Sequence, residues 1–422
     1  MMNFTFPKKV KTLTFALMAI GIIGIVWGLF GGSEHGASDR FWANILLNGV
    51  MFFSISLAAL FFYALQYTAE VGWSSQLKRI LEAVFSYMPV AIVVLLIVFL
   101  ASTFHINHIY HWMDDAVTHE YVSADHGEHA EYFHESGEGR VINDHFDSII
   151  AGKSAYLNTG FWWARTIIYF LVFYFYARSF RKMSLEDDKH GGLEMHTKFF
   201  KKSSVFLIFF AVFTSVFAWD WLMSIDVHWF STMYGWLTFA SYWNMAMVFI
   251  TLLVLWLKSM GYLPKVTDGH IHDLGKWVFA TGLLWVYLWF SQFMLIWYAN
   301  IPEETPYYVT RMYGEYNTLY FTMVFINFVT PFLVLMSRDA KKNPLLLTIA
   351  GIVLFASHFL DFYFLVIPGV VFDAWHGMKM YEIMIFLGFL GSIVFVVLNT
   401  LTKAPLIPVK HLFLDESEHH TT

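Results

Sequence analysis

His358 and Asp361 lie three residues apart inside the apolar stretch 345–367. On a helix, residues at i and i+3 share one face, so an imidazole and a carboxylate at this spacing can meet. A histidine beside a carboxylate can take up a proton and pass it on near neutral pH. We therefore predict a proton-transfer or quinol-contact role for this pair. The alternative is a structural pair that joins its helix to neighbouring helices by hydrogen bonds.

Five further polar residues lie on the same predicted outer side of the apolar stretches: His105, Asp220, Asp226, His228 and Glu303. Ionisable groups within a bilayer are costly, so they are usually functional or paired. We interpret them, with the first pair, as an outer-half proton path. For Asp220, which stands between two tryptophans, the alternative is a helix-end carboxylate held by neighbouring donors. The inner ends of the stretches are poorer in such groups, and the sequence predicts no complete path across the membrane.

Two other kinds of site were weighed against simpler interpretations. His105 and His358 are conceivable axial ligands of one haem b, but a chance pairing is the simpler interpretation. A divalent metal has candidate ligands in one outer loop: His126, Glu128, His129 and Glu131. A solvated acidic loop that docks on a partner explains the same residues, and we predict neither a metal site nor a catalytic residue in this chain.

The composition excludes several classes of protein. Hydrophobic residues make up 58% of the 422 residues and charged residues 14%, whereas soluble domains have roughly 45–50% and about 25%. A soluble enzyme, a disordered chain and a nucleic-acid-binding module are therefore excluded. The chain has no cysteine, so it offers no thiolate for an iron–sulfur cluster and no covalent attachment point for c-type haem.

Apolar stretches long enough to cross a bilayer recur along the chain and predict an all-α polytopic membrane protein with ten transmembrane helices. The first stretch follows basic residues, as in a signal peptide, but it is longer than a usual signal core, so we expect a retained helix. The predicted spans are 12–30, 43–67, 84–106, 160–180, 204–223, 234–257, 275–298, 315–336, 345–367 and 380–401.

The basic residues predict the orientation of these spans. Most of the 26 Lys and Arg fall on the side that carries both termini, which places the N- and C-termini in the cytoplasm. The outer side then carries an acidic, His-rich periplasmic loop at 109–157, and residues 402–422 form a polar cytoplasmic tail. We treat 1–422 as one integral membrane domain.

Two stretches carry a family resemblance: 217–236 (FAWDWLMSIDVHWFSTMYGW) and 289–305 (WFSQFMLIWYANIPEET). Both resemble the NrfD/polysulfide-reductase-like membrane subunits of bacterial alternative complex III, a quinol:electron-acceptor oxidoreductase. Within that complex the chain is most similar to the ActF type of subunit, whereas the related ActC type is the one expected to hold quinol. Ten spans and cytoplasmic termini agree with the resemblance over nearly the whole chain.

The resemblance implies two four-helix bundles, spans 2–5 and 6–9, with spans 1 and 10 peripheral, in the bacterial inner membrane. It implies as partners an iron–sulfur subunit, multihaem c-type cytochrome subunits and a second NrfD-like membrane subunit, with lipids and menaquinol or another quinol as small-molecule contacts. This chain then supplies proton transfer, quinol-site support or structural support, while electrons pass through its partners. The alternative is an independent secondary transporter or ion channel, which predicts inverted repeats with broken helices.

Overall fold

The computed structural model describes residues 4–31, 36–123 and 131–421, except the side chain of residue 373. The chain is 76% helical. The helices are α1 (Lys8–Phe30), α2 (Ala37–Thr68), α3 (Lys78–Phe85), α4 (Met88–Thr103), α5 (Asp115–Thr118), α6 (Ser148–Gly152), α7 (Thr159–His190), α8 (Gly192–Trp221), α9 (Tyr234–Ser259), α10 (Asp268–Ala299), α11 (Pro306–Met312), α12 (Asn317–Val329), α13 (Arg338–Lys342), α14 (Pro344–Val371), α15 (Met380–Leu401) and α16 (Leu414–Glu418).

Short turns and one small sheet complete the described elements. Strands β1 (Tyr121–Ser123), β2 (Tyr132–Phe133) and β3 (Arg140–Ile142) form an antiparallel sheet in the order β2-β1-β3. This sheet belongs to the predicted 109–157 loop, together with α5 and α6. The 3₁₀ turns are Trp73–Leu77, His111–Met113, Met223–Ile225, Gly314–Tyr316 and Phe372–Ala374, and Thr330–Val334 is a π turn. The candidate metal ligands His126, Glu128 and His129 lie outside the described residues.

Within the described residues, nine helical stretches are long and apolar enough to cross a membrane. This confirms an all-α polytopic membrane architecture, and nine of the ten predicted spans coincide with these stretches. The remaining span, 160–180, lies within α7, a 32-residue helix that is not among the nine. Arg165, Arg178 and several Tyr and Trp side chains lower the hydropathy of α7. Its length corresponds to about 48 Å at 1.5 Å per residue, which is sufficient to cross a bilayer.

We call the end of the helices that carries both termini the terminal face, and the end that carries residues 109–157 the loop face. α2 lies at the centre, because its apolar window is 94% buried and it contacts α4, α8, α9, α14 and α15. A helix that is hydrophobic on all sides is expected in the core of a bundle. The aromatic side chain of Phe53 on α2 packs against Phe217 and Trp221 of α8.

α1 and α15 pack against each other through glycines. A Cβ atom added at Gly21 would lie 2.4 Å from the Cα atom of Gly388, and Gly24 and Gly391 face similarly close atoms. Small residues allow the backbones of membrane helices to approach closely, so that van der Waals contact holds them together. Only 22% of the apolar window of α1 is buried, so this glycine contact is its main attachment.

The C-terminal tail packs against the terminal face. His411 is buried, and its Nε2 atom lies 2.7 Å from the Nζ atom of Lys78. The hydroxyl of Ser417 donates a hydrogen bond to the carbonyl oxygen of Trp73 at 2.6 Å. Burial, followed by the charge of Lys78, lowers the pKa of His411 to about 2. The tail therefore docks with His411 neutral.

Gly21→Ala should destabilise the protein. Alanine usually stabilises a helix relative to glycine by up to ~1 kcal/mol, but here the methyl group would collide with the backbone of α15. We expect the free energy of unfolding to fall by about 1–3 kcal/mol, measured by thermal unfolding in detergent. Gly160→Ala is the matched control, because the nearest atom to its added methyl group is 3.7 Å away. A stabilising Gly21→Ala would contradict the packing argument.

Acidification should loosen the tail. The unfolded pKa of histidine is near 6.5, and the folded value for His411 is about 2, so protons bind preferentially to the undocked tail as the pH falls below 6.5. Between pH 6.5 and pH 5 the docked state loses about 2 kcal/mol, so the protection factors of the amides across 409–418, corrected for the slower intrinsic exchange at lower pH, should fall. The His411→Leu variant should weaken this pH dependence, while the exposed His419→Leu should keep it in full. A wild-type tail with pH-independent protection would refute the assignment.

Candidate functional site

The predicted pair His358 and Asp361 is buried in α14, and the structure brings the two side chains together. The Nδ1 atom of His358 lies 3.4 Å from Oδ2 of Asp361. On its other side, Nε2 of His358 lies 2.7 Å from Oδ1 of Asn244 on α9. Nε1 of Trp285 on α10 donates to the same Asp361 oxygen at 2.8 Å. The pair thus lies at the junction of three helices.

The orientation of Asn244 determines which nitrogen of His358 carries a proton. Its Nδ2 atom donates to the carbonyl oxygen of Val278 and to Oγ1 of Thr281, both at 2.8 Å. The amide oxygen is left to accept a hydrogen bond, so Nε2 of His358 donates to it. In a neutral imidazole Nδ1 would then be an unprotonated acceptor facing a carboxylate oxygen. A favourable Nδ1 contact with Asp361 therefore requires one shared proton between the two groups.

Asp220 is in a different environment. Its carboxylate accepts two hydrogen bonds of 2.8 Å from Nε and Nη2 of Arg165 and a third of 2.9 Å from the hydroxyl of Tyr169. The indole of Trp162 donates to the Asp220 carbonyl oxygen at 2.9 Å. Bidentate pairs of this kind are strong and fix geometry. This arrangement favours the structural alternative, a buried carboxylate that joins α8 to α7.

A cavity of about 410 Å³ opens at the loop face and contains three of the other predicted residues: Asp226, His228 and Glu303. Asp226 accepts a hydrogen bond from Nη2 of Arg311 at 3.0 Å. The guanidinium of Arg311 lies 3.4 Å from the centre of the Tyr307 ring. The cavity lining also includes His111, Val117, Asp147, Ile150, Ile225, Val227, Trp229, Pro306, Tyr307, Thr310, Arg311 and Phe372.

His228 connects the cavity to the 109–157 loop. Its Nε2 atom lies 2.5 Å from Oδ2 of Asp147, the residue that caps α6. Partial burial raises the pKa of Asp147, but hydrogen bonds from the Ile150 amide and from His228 outweigh it, and the net shift is downward. Burial lowers the pKa of His111. The cavity therefore brings carboxylates and histidines together at the loop face.

The two sequence motifs meet at this cavity. The first forms the end of α8, a 3₁₀ turn and the beginning of α9, and the second forms the end of α10 and the following loop. Nε1 of Trp229 donates to the carbonyl oxygen of Glu304 at 3.1 Å, and the Trp229 ring stacks on Tyr307 with ring centres 4.0 Å apart. The motifs thus build one structural unit at the loop face.

His105 does not join this group. It lies two residues after the end of α4 with a left-handed backbone, φ of 54°, and its side chain is exposed. Because both ring nitrogens of His358 are in hydrogen bonds, His105 and His358 do not form a buried pair of free imidazole ligands for haem. Among the residues that the structure describes, no three His, Asp or Glu side chains come together as metal ligands.

The terminal face buries charges that the apolar stretches did not reveal. Glu82 is fully buried and accepts hydrogen bonds from Arg181, Ser184 and Arg79, the last at 3.2 Å. The hydroxyl of Tyr63 lies 3.4 Å from the same carboxylate. Arginines from two helices surround this single carboxylate, so the cluster resembles the Arg165–Asp220 pair in being an anion fixed by cations.

A comparison with protein-family models finds no match to this chain, and a comparison with curated proteins finds none either. The resemblance to NrfD-like subunits therefore depends on the two motifs and on the architecture. Sequence reasoning missed the main partners of the site: Asn244, Trp285, Tyr307, Arg165 and Arg311. An arginine in or next to an apolar stretch was the available signal for the last two, since such a charge needs a partner.

Arg165→Gln tests the structural role of Asp220. The substitution leaves the Asp220 carboxylate buried without its counter-charge, and we expect the free energy of unfolding to fall by about 3–5 kcal/mol. The double variant with Asp220→Asn removes both charges and should recover most of that loss in thermal unfolding. Arg178→Gln is the matched control on the same helix, because Arg178 is exposed. Wild-type stability of Arg165→Gln would argue against a structural pair.

Proposed function

We propose that this chain is an integral membrane subunit of a quinol-oxidising respiratory complex of the alternative complex III type. In this proposal it crosses the bacterial inner membrane ten times, α7 included, with both termini in the cytoplasm. Spans 2–5 and 6–9 form two four-helix bundles, with α1 and α15 at the periphery. Its task is to move protons between the His358–Asp361 pair and the loop-face cavity, on the periplasmic side.

The buried contact between His358 and Asp361 carries this proposal, because two facing acceptors need one proton between them. Buried carboxylates in this protein such as Asp220 and Glu82 are neutralised by arginine, which holds its proton permanently. Asp361 instead receives an indole hydrogen and faces an imidazole, and an imidazole releases and rebinds protons near neutral pH. A pair with a mobile proton at membrane depth suits proton transfer better than it suits permanent attachment of helices.

Tyr234 and Tyr307 lie within electrostatic reach of both the pair and the cavity. Burial raises the pKa of Tyr307 to about 12; the charge of Arg311 opposes this shift, and the charges of Asp226 and Asp361 add to it. Tyr307 is therefore within electrostatic reach of both carboxylates. It lines the cavity and shares a hydrogen bond with Tyr234 at the beginning of α9. Hydroxyl groups in this position can relay a proton from Asp361 toward Asp226 and His228.

Quinol oxidation releases two protons and two electrons, and this chain has groups for the protons only. Without cysteine it cannot ligate an iron–sulfur cluster by thiolates, so in this proposal the electrons pass to an iron–sulfur subunit and to multihaem c-type subunits. A second NrfD-like subunit completes the membrane part. The outer-loop surface around 109–157, which is acidic, then faces these periplasmic partners.

Asp361→Asn and His358→Phe test the proposal in the assembled complex. Each substitution removes one of the two groups that share the proton. A general acid–base group typically increases the rate of a reaction by 10²–10⁴-fold. We expect proton release during quinol turnover to fall by about tenfold or more. Tyr307→Phe should produce a smaller loss, because water in the cavity can replace one hydroxyl.

His376→Phe is the matched control, since this exposed histidine also faces a carboxylate, Glu315 at 3.2 Å, but lies outside the proposed path. Unchanged turnover and proton release in both Asp361→Asn and His358→Phe would overturn the proton-transfer role. Purification tests whether the chain belongs to such a complex, because co-isolation with haem and iron–sulfur subunits supports that membership. Ion transport by this chain in vesicles, without any partner subunit, would favour the alternative hypothesis of a secondary transporter or channel.

A further inference from the structure

An apolar groove of about 460 Å³ runs along the membrane-spanning surface between α1, α9, α14 and α15. Its walls are built from aliphatic and aromatic side chains, among them Val10, Leu253, Phe355 and Phe386. Water in such a groove would have no polar partners, so apolar spaces of this kind do not hold ordered water. At membrane depth the available filler is hydrocarbon.

The groove reaches the terminal face, where a lipid headgroup would lie. Val10 is in the first turn of α1, and Trp256 and Leu398 line the groove three residues before the ends of α9 and α15. Phe4 packs against Trp256 at a ring-centre distance of 6.2 Å and against Tyr262 at 5.0 Å. Trp and Tyr collect at the level of lipid headgroups, so this end of the groove lies at the interface.

Positive charge surrounds that end. Lys8, Lys9 and Lys11 flank Val10 and are exposed, and within the described part of the chain none of them has an ion-pair partner. The first turn of α1 has no acidic residue and no side-chain cap, so its free amide hydrogens add the positive end of the helix dipole. An anionic group here would meet three lysines and a helix N-terminus directly beside an apolar groove.

We propose that this groove binds one acyl chain of an anionic phospholipid, with its phosphate at the first turn of α1. Charge complementarity selects this occupant over a neutral lipid, a neutral isoprenoid quinone and an apolar helix of another subunit, none of which uses the lysines. Each basic residue near an anionic membrane surface contributes enough for roughly a fivefold preference. The inference is independent of the proposed quinol chemistry and requires only that α1 and α15 cross the membrane.

Brominated acyl chains quench tryptophan on contact, so Trp256 is an internal probe. The full-length protein, with any co-purifying partners, is placed in nanodiscs of phosphatidylcholine containing a small fraction of dibrominated phosphatidylglycerol or dibrominated phosphatidylcholine. The signal is the quenching in wild type minus that in Trp256→Phe. We expect dibrominated phosphatidylglycerol to quench Trp256 at a mole fraction at least about fivefold lower than its phosphatidylcholine counterpart.

Two variants, each with its own control, distinguish binding of the lipid headgroup from binding of the acyl chain. The triple variant K8S/K9S/K11S should abolish the preference for phosphatidylglycerol, whereas K182S/K201S, on the same face, should retain it. Ala356→Phe fills the groove and should abolish Trp256 quenching by both lipids, whereas Val353→Phe, outside the groove on the same helix, should not. Equal quenching of Trp256 by both lipids in wild type would overturn the site. Displacement of the brominated lipid by a neutral quinone, to the same extent in wild type and in the lysine variant, would also overturn it. Absence of Trp256-specific quenching would show that protein covers the groove.

Discussion

Hydrocarbon offers a charged side chain no hydrogen-bond partner, so each ionised group that these helices bury needs its counter-charge within the protein. Arg165 on α7 pairs with Asp220 on α8, and Arg40 on α2 pairs with Glu382 on α15 at 2.9 Å. Each pair joins two helices that the apolar surface alone would allow to slide or rotate. The register of the bundle therefore depends on where these charges fall along the sequence.

His358 and Asp361 are held differently from these arginine–carboxylate pairs. Their neighbours, Asn244 and Trp285, are neutral and are themselves fixed by hydrogen bonds. The protein therefore orients the pair without supplying a permanent positive charge. In the proposed function, the His358 imidazole takes the place beside Asp361 that arginine has beside Asp220 and Glu82.

Much of the architecture could be predicted from the sequence, because continuous apolar stretches determine where helices form. The 3.6-residue period also placed His358 and Asp361 on one face, as the structure has them. The period could not indicate Asn244, since that contact comes from a helix more than one hundred residues away. Likewise, the role of Asp220 depended on Arg165, and pairing between helices is a property of tertiary packing. The docking of His411 was unpredictable for the same reason, since a polar tail shows no periodicity before it is buried.

The contrast between the two faces of the bundle also bears on the direction of proton movement. At the terminal face Glu82 is surrounded by Arg79 and Arg181, and Arg79 also pairs with Asp188, so the charges of this cluster balance. At the loop face Asp226, Glu303 and His228 line an open cavity. In the proposed function, the His358–Asp361 pair exchanges its proton with this loop-face cavity, while the balanced ion pairs of the terminal face hold that end of the bundle together.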